Sequence, residues 1–388
     1  MRKNILLLFF STIISIILLY LFLIVYTFYS LEIGIPHKFH SNEIINFHKK
    51  YSSKIHHIRL DERNFKKNFE KTEYLYSIIN EFGFEKKNIL FQGDSWVEQL
   101  TNPDDDNFSG LKYIKKFSIK NNLGFISAGI SSYSPTLMKL QLEILEKDFG
   151  ILPNIIIAYI DQTDIGDENC RFKNSRIFKN NNLVAVKVDN FSNSIFNLSK
   201  VYGESKILLE RKSKIKQSFY LLNFRVKYNL HKFKNKNLAK IKRIKNYGYK
   251  NRKNKKCYWS NIQNYLINST NSELEYFEES LTNYINYALS KNNIEKIFIV
   301  TFPHKNHILE LLDGNKNLYK HNVSDIVDKL IANKESIYHL NFTKLINEKK
   351  IRITKDDYIA NDPSSHLIPA VHRNMFIKRI VNYVLNII

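Results

Sequence analysis

Ser95 and His366 are the side chains whose types and settings could do chemistry together. The hydrophobic run Asn88-Ile89-Leu90-Phe91 stops abruptly at Gln92-Gly93-Asp94-Ser95-Trp96. A buried strand ending in a glycine turn puts the Ser95 hydroxyl at the carboxyl edge of a sheet, where open α/β folds carry their sites. Such a hydroxyl is a useful nucleophile only if a base removes its proton. Far along the chain, Asn361-Asp362-Pro363-Ser364-Ser365-His366-Leu367 sets an aspartate and a histidine close together, ahead of a C-terminal helical pattern. Ser95 early, with Asp362 and His366 late, is a triad order suited to acyl transfer: nucleophile, orienting carboxylate and general base. Each residue also has a plainer reading. Asp94 and Ser95 suit a helix N-cap, and a histidine such as His366, taken alone, is more often a structural hydrogen-bonding group. Their combination in this order favours a site.

The elements that must position these residues alternate between strand and helix. A helical pattern around Leu111 to Asn121 precedes a short strand, Gly124 to Gly129. Pro135 opens a helix with Leu137, Leu140, Leu142 and Leu145 on an apolar face, ending near Gly150. Ile155 to Ile160 is a continuous apolar run of the kind found in central parallel strands, and it ends in Asp161-Gln162-Thr163-Asp164. The rhythm breaks from roughly Cys170 to Asn271. It resumes with a helix over Glu273–Leu289 and a strand over Ile297–Thr301 closed by Phe302-Pro303-His304. A helix around Val323–Asn333, a strand near Ile337–Leu340 and a helix over Pro369–Leu385 complete it. This alternation predicts an α/β fold with a parallel sheet. His304, at a strand end, is either a cleft-lining neighbour of the site or a surface residue.

At 388 residues and 44% hydrophobic, the chain can bury a full core. Its first segment is of another kind. Residues 5–28 carry no charge across 24 positions, enough for a bilayer that needs about 20, and no small-residue cleavage site follows. The expected organisation is a cytoplasmic tip and transmembrane anchor at 1–29, a stem at 30–86 with helical character from Phe65 to Phe82, and a main domain at 87–388. An insertion at about 170–271 interrupts that domain. Arg2 and Lys3 ahead of the apolar run orient the N-terminus to the cytoplasm and the body outside it, periplasmic or otherwise extracytoplasmic.

The net charge of +22 is concentrated. Arg211 to Lys256 holds 18 Lys and Arg with no Asp or Glu, leaving +4 for the rest. Ser205 to Phe233 sets Ile207, Leu208, Ile215, Phe219, Leu222 and Phe224 among basic residues at helical spacing. Residues 205–256 therefore read either as a surface for anionic lipid or polymer or as a solvated helical face. An exported body disfavours nucleic acid. Cys170 and Cys257 fit no metal spacing; they form either a disulfide in an oxidising compartment or two separate thiols. Asp161, Asp164, Asp167 and Glu168 are hard-cation ligand types, but they lack calcium-loop spacing, so loop and packing roles are expected, with no metal and no cofactor.

Taken together, Gly93-Asp94-Ser95, then Gly129 within Ser127-Ala128-Gly129-Ile130-Ser131, and His366 before the terminal helix resemble the scattered blocks of the GDSL or SGNH hydrolase superfamily. The resemblance covers roughly Lys87 to the C-terminus without the insertion. It implies a three-layer, flavodoxin-like parallel sheet. In that family's mechanism Ser95 attacks an ester carbonyl, His366 handles the proton, Asp362 orients the imidazole, and the backbone N–H groups of Ser95 and Gly129 hold the oxyanion. The chain departs from the family at two points. The third block usually carries an asparagine that donates to the oxyanion, and Thr163 stands in its place, so Thr163 or Gln162 substitutes or the hole has two donors. Asp362 lies four residues before His366 instead of three, which leaves Asp356 and Asp357 as alternative orienting groups. Asp94, Asp161 and Asp164 are further neighbours. The implied activity is hydrolysis or transfer of an O-acyl group, acetyl being one candidate, on a cell-envelope polysaccharide or glycolipid. The alternative is a catalytically silent module of the same fold serving polysaccharide binding or envelope assembly.

Overall fold

The structure, a computed structural model, describes residues 2–29, 50–51, 54–55, 71–73, 75–80, 87–101, 109–186, 269–305, 308, 323–360 and 365–388. Asp362, Cys257 and the basic stretch 205–256 lie outside the described residues. The chain divides into two units, 1–50 with 189–248 and 51–188 with 249–388. In the first, α1 (Arg2–Tyr29) is a 28-residue helix. Its described side chains, 7–22, are all exposed. Counted over the described residues alone, no helix is long and apolar enough to cross a membrane.

The second unit is built on one mixed sheet. In chain order it comprises β1 (Lys71–Glu73), β2 (Tyr76–Asn80), β3 (Asn88–Gly93), α2 (Ser95–Glu98), α3 (Ser109–Asn121), β4 (Gly124–Gly129), α4 (Pro135–Phe149) and β5 (Ile155–Asp161). A hairpin of β6 (Arg176–Lys179) and β7 (Asn182–Val186) follows, then α5 (Asn271–Leu289), β8 (Lys296–Phe302), α6 (Val323–Ile331), β9 (Ile337–Asn341), α7 (Phe342–Asn347) and α8 (Lys378–Leu385). The seven-stranded sheet runs β1-β2-β4-β3-β5-β8-β9. From β4 to β9 every pairing is parallel, and β2 and β1 add an antiparallel edge. Every residue of β3 and β5 is buried, as expected of strands covered on both faces.

Helices cover those faces in two layers. Leu111, Ile114 and Phe117 of α3 share one apolar cluster with Phe342 of α7, Phe376, Ile377, and Ile380 and Val381 of α8. On the other side α5 packs against α4 and α6. Local signals set the helix ends. Pro135 opens α4, and Gly150 closes it in the left-handed conformation with φ 66°. Thr270 and Glu273 form a reciprocal capping box at the start of α5.

A buried polar network ties the centre together. Gln92 in β3 donates to Met138 O and Gln141 Oε1, at 3.1 and 2.8 Å, and accepts from the Tyr284 hydroxyl of α5 at 2.9 Å. Gln141 in turn donates to Leu75 O and Ala128 O, at 2.9 and 2.8 Å. One fully bonded cluster thereby links β3, α4, α5, β4 and the residue preceding β2, without an uncompensated polar group at Gln92.

The structure differs from expectation ahead of β3. The span Phe65–Phe82, expected to be helical, contains β1 and β2, and β2 joins the sheet beside β4. Five consecutive residues from Leu75 to Ile79 are buried there, a run that has no helical period and suits a covered strand. The stretch from Cys170, expected to break from the strand–helix alternation, includes the β6–β7 hairpin, which forms a two-stranded sheet apart from the main one. The terminal helix runs from Pro369 to Leu385 as expected, with a π-helical turn at His372–Ile377 between Pro369–Val371 and α8.

Gly129, at the end of β4, touches α2 where a side chain would stand. A Cβ there would sit 2.4 Å from the Glu98 N and 2.5 Å from the Val97 carbonyl carbon. Gly129→Ala is therefore expected to destabilise the fold by about 1–3 kcal/mol, the usual cost of overpacking a closed site, read as a lower urea midpoint with an unchanged slope.

Candidate functional site

The doubly wound order places the chain's reversal between β3 and β5, because β4 lies on one side of β3 while β5, β8 and β9 lie on the other. Crevices open outside the carboxyl ends of strands at such a switch point. Gln92 pairs with Ala158, so Ser95 and Asp161 each fall three residues beyond a matched position. Ser95 is the first residue of α2. Asp94 is its N-cap, accepting from Trp96 N at 2.9 Å. Gly93 leaves room for this corner, since a Cβ there would meet Val97 Cγ2 at 2.7 Å and Tyr159 Cβ at 2.9 Å.

His366 reaches the same corner from the other end of the chain. Its Nε2 lies 2.7 Å from Ser95 Oγ across 271 residues of sequence, and both side chains are partly exposed. The loop that carries it is pinned as a short antiparallel bridge: Ile359 N donates to His366 O at 2.8 Å, and Ile368 N donates to Asp357 O at 2.9 Å. A serine hydroxyl that donates to an imidazole nitrogen is the geometry of base-assisted attack.

Trp96 forms the floor beneath the pair. Its ring stacks on Tyr159 at 5.3 Å and lies 5.0 Å from Phe302, 5.4 Å from Phe376 and 6.3 Å from His366. The Trp96 carbonyl, an obligate acceptor, lies 3.0 Å from Nε2 of the fully buried His372. The His372 proton must therefore sit on Nε2. Burial, with a smaller contribution from His366, pushes its pKa down to about 4, so the ring is neutral at physiological pH. Nothing in the sequence pattern marked His372 or Trp96. The one available signal was that His372 follows His366 by six positions on the terminal helical segment.

Buried carboxyl groups border the site. Desolvation, followed by the charge of Asp161, pushes Asp94 well above the ordinary carboxylate range. Asp164 rises likewise through burial and then the charges of Asp94 and Asp161. Burial raises Asp161 too, against the bonds from Thr163 and the field of His366. Asp161 accepts from Thr163 N at 2.6 Å, and Asp164 accepts from Asp161 N at 3.0 Å. Asp167 is ion-paired to Arg171 at 3.0 Å, yet burial still lifts it to about 6. Glu168 is fully buried and fully used: it accepts from Ser134 Oγ and from Thr136 N and Oγ1 at the start of α4, and from Arg176 at 2.6 Å. These are packing roles, and among the described residues no group of three or more His, Cys, Asp or Glu is arranged to hold a metal.

The remaining sequence candidates divide. Gln162 is buried, and its Oε1 accepts from Val323 N at 2.9 Å at the start of α6, so that oxygen anchors a helix. The bare face of Gly129 abuts α2, which makes its glycine a packing requirement at the serine turn. Asp357 closes a capping box with Thr354, and Asp356 is exposed, so neither carboxylate is spent on His366 in the contacts described. His304 is buried and lies 2.7 Å from Ser365 Oγ through Nε2, which excludes the surface reading. Cys170 is buried and disulfide-bonded.

A carboxyl whose folded pKa is raised binds more protons folded than unfolded between its ordinary and raised values, so stability is lost as pH rises through that window. Asp164→Asn removes the titration while keeping an oxygen for Asp161 N. The variant is expected to melt higher than the wild type at pH 7 and to lose that advantage by pH 4, as read by thermal denaturation across the pH series.

No family model, curated protein or solved structure matches the chain, and the site is read from its own geometry.

Proposed function

We propose that this protein is a membrane-anchored serine esterase or O-acyltransferase of the SGNH type, acting on an O-acyl group, such as acetyl, of a cell-envelope polysaccharide or glycolipid. The observation that carries the reading is the 2.7 Å contact between His366 Nε2 and Ser95 Oγ. Support comes from the strand order β4-β3-β5-β8-β9, which is the flavodoxin-like order when the parallel strands are renumbered from β3. The uncharged run at 5–28 behind Arg2 and Lys3 supports an anchor with a cytoplasmic N-terminus. The Cys170 disulfide suits an oxidising, extracytoplasmic body.

In this mechanism His366 Nε2 takes the proton as Ser95 Oγ forms a bond to the acyl carbon, and the carbonyl π pair moves onto oxygen. Collapse of that oxyanion breaks the ester C–O bond, and His366 returns the proton to the departing alcohol. The acyl-serine is then attacked by a second hydroxyl, which His366 deprotonates in turn. Water makes the protein a hydrolase, and a sugar hydroxyl makes it a transferase. Ser95 N–H and Gly129 N–H are the proposed oxyanion donors; Thr163 donates to Asp161 through both its N–H and its side chain, so the hole is read with two. Asp362 is the proposed orienting carboxylate.

A second reading, a silent binding module of the same fold, is favoured by the carboxyl groups of Asp94, Asp161 and Asp164 around the serine turn. Each of them, when ionised, opposes a developing oxyanion. A fluorophosphonate probe separates the two readings. The wild type is expected to be labelled, Ser95→Ala not at all, and His366→Ala slower by about 10²–10⁴-fold, the usual contribution of a general base. Folded wild type that resists the probe would instead favour the silent module.

A further inference from the structure

His304 and Ser365 form a hydrogen-bonded pair inside the protein, next to the reacting histidine yet taking no part in the mechanism above. His304 follows β8 and is 3% exposed, Ser365 is 2% exposed, and His304 Nε2 lies 2.7 Å from Ser365 Oγ. Ser365 also has φ 56°, a left-handed backbone that a non-glycine residue adopts only when its surroundings hold it there. The two facts share one position, immediately before His366. The conformation at Ser365 sets the direction in which the chain presents the imidazole, and the hydroxyl of the same residue is bonded to His304.

We propose that His304 is a positioning residue, acting through Ser365 to hold His366 at hydrogen-bonding distance from Ser95. The inference rests on the reading of Ser95 and His366 as the reacting pair. The backbone on either side of the clamp is hydrogen-bonded. Pro303 O accepts from the buried Tyr358 hydroxyl at 3.3 Å, and His304 O accepts from Ile308 N at 3.2 Å. Beyond Ser365, His366 O is held by Ile359 N at 2.8 Å. The clamp thus joins the end of β8, which is fixed in the sheet by its pairing to β5 and β9, to the loop that must deliver the base. Because a hydroxyl both donates and accepts, the bond forms with either neutral tautomer of His304 and with its protonated form. It therefore acts as a mechanical link independent of proton transfer.

The test measures the rate of fluorophosphonate labelling of Ser95 in the full chain, with the melting temperature of each variant recorded beside it. Ser365→Gly accepts the left-handed φ without strain but lacks the hydroxyl, and it is expected to slow labelling about 10–100-fold, the scale of a modest misplacement of a reacting group. Ser365→Ala and His304→Ala should slow it by a similar factor. The double variant should be no slower than the slower single, as partners in one contact are not additive. His304→Gln, whose amide nitrogen can stand near the Nε2 position, is expected to stay within about threefold of wild type. Should His304→Ala fail to fold, Ser365→Gly and His304→Gln still decide the matter. Ser365→Gly at the wild-type rate, or His304→Gln as slow as Ser365→Gly, would overturn the clamp while leaving the esterase reading intact. A folded wild type that is never labelled would overturn both.

Discussion

One hydrogen bond joins the two ends of the sheet-bearing unit: His366 Nε2 to Ser95 Oγ, at 2.7 Å. Its existence requires that the chain leave β3, complete the parallel sheet outward to β9, and return across the carboxyl edge to the strand where it began. The return path is built from ordinary parts. The isolated bridge between Tyr358 and Leu367 aligns the loop, the buried Tyr358 and Leu367 weight it against the core, and the π-helical turn after it sets His372 under Trp96. Without that return, Ser95 would be an N-terminal residue of a short helix and nothing more.

The surroundings of the bond are a setting that costs stability. Asp94, Asp161 and Asp164 are buried, and desolvation, joined at Asp94 and Asp164 by the charges of neighbouring carboxylates, favours keeping protons that solvent-exposed carboxylates would release. An apolar floor of Trp96, Tyr159, Phe302 and Phe376 lowers the local dielectric and so strengthens every charge interaction above it. The same low dielectric keeps His372 neutral. Two histidines six residues apart therefore have different duties: one partly exposed and facing a hydroxyl, the other sealed and serving as a donor to the serine helix.

Much of the framework was legible in the residues because burial writes simple patterns. The uninterrupted apolar runs of β3, β5 and β8, the proline and glycine that bound α4, and the small-residue corner at Gly93-Asp94-Ser95 each report a local physical requirement. What was not legible depended on partners distant in sequence. Leu75-Tyr76-Ser77-Ile78-Ile79 was expected to be helical, and only the open edge of β4 makes it a strand. Gln162 was weighed as an oxyanion donor through its amide nitrogen, and its oxygen anchors the start of α6, 161 residues away. Gly129 was read for its backbone N–H, and the packing of α2 against its Cα is a further demand that only the fold reveals. Ser365 carries no sequence signature at all. Its significance lies in a backbone angle and a bond to His304.

The central claim is that Ser95 and His366 share a hydrogen bond in the folded protein, and imidazole nitrogen NMR tests it most directly. With ¹⁵N-labelled histidine, replacing Ser95 by Ala should shift the Nε2 resonance of His366 and leave that of His372, bound to the Trp96 carbonyl, essentially where it was. An unchanged His366 resonance in a folded Ser95→Ala protein would contradict the account.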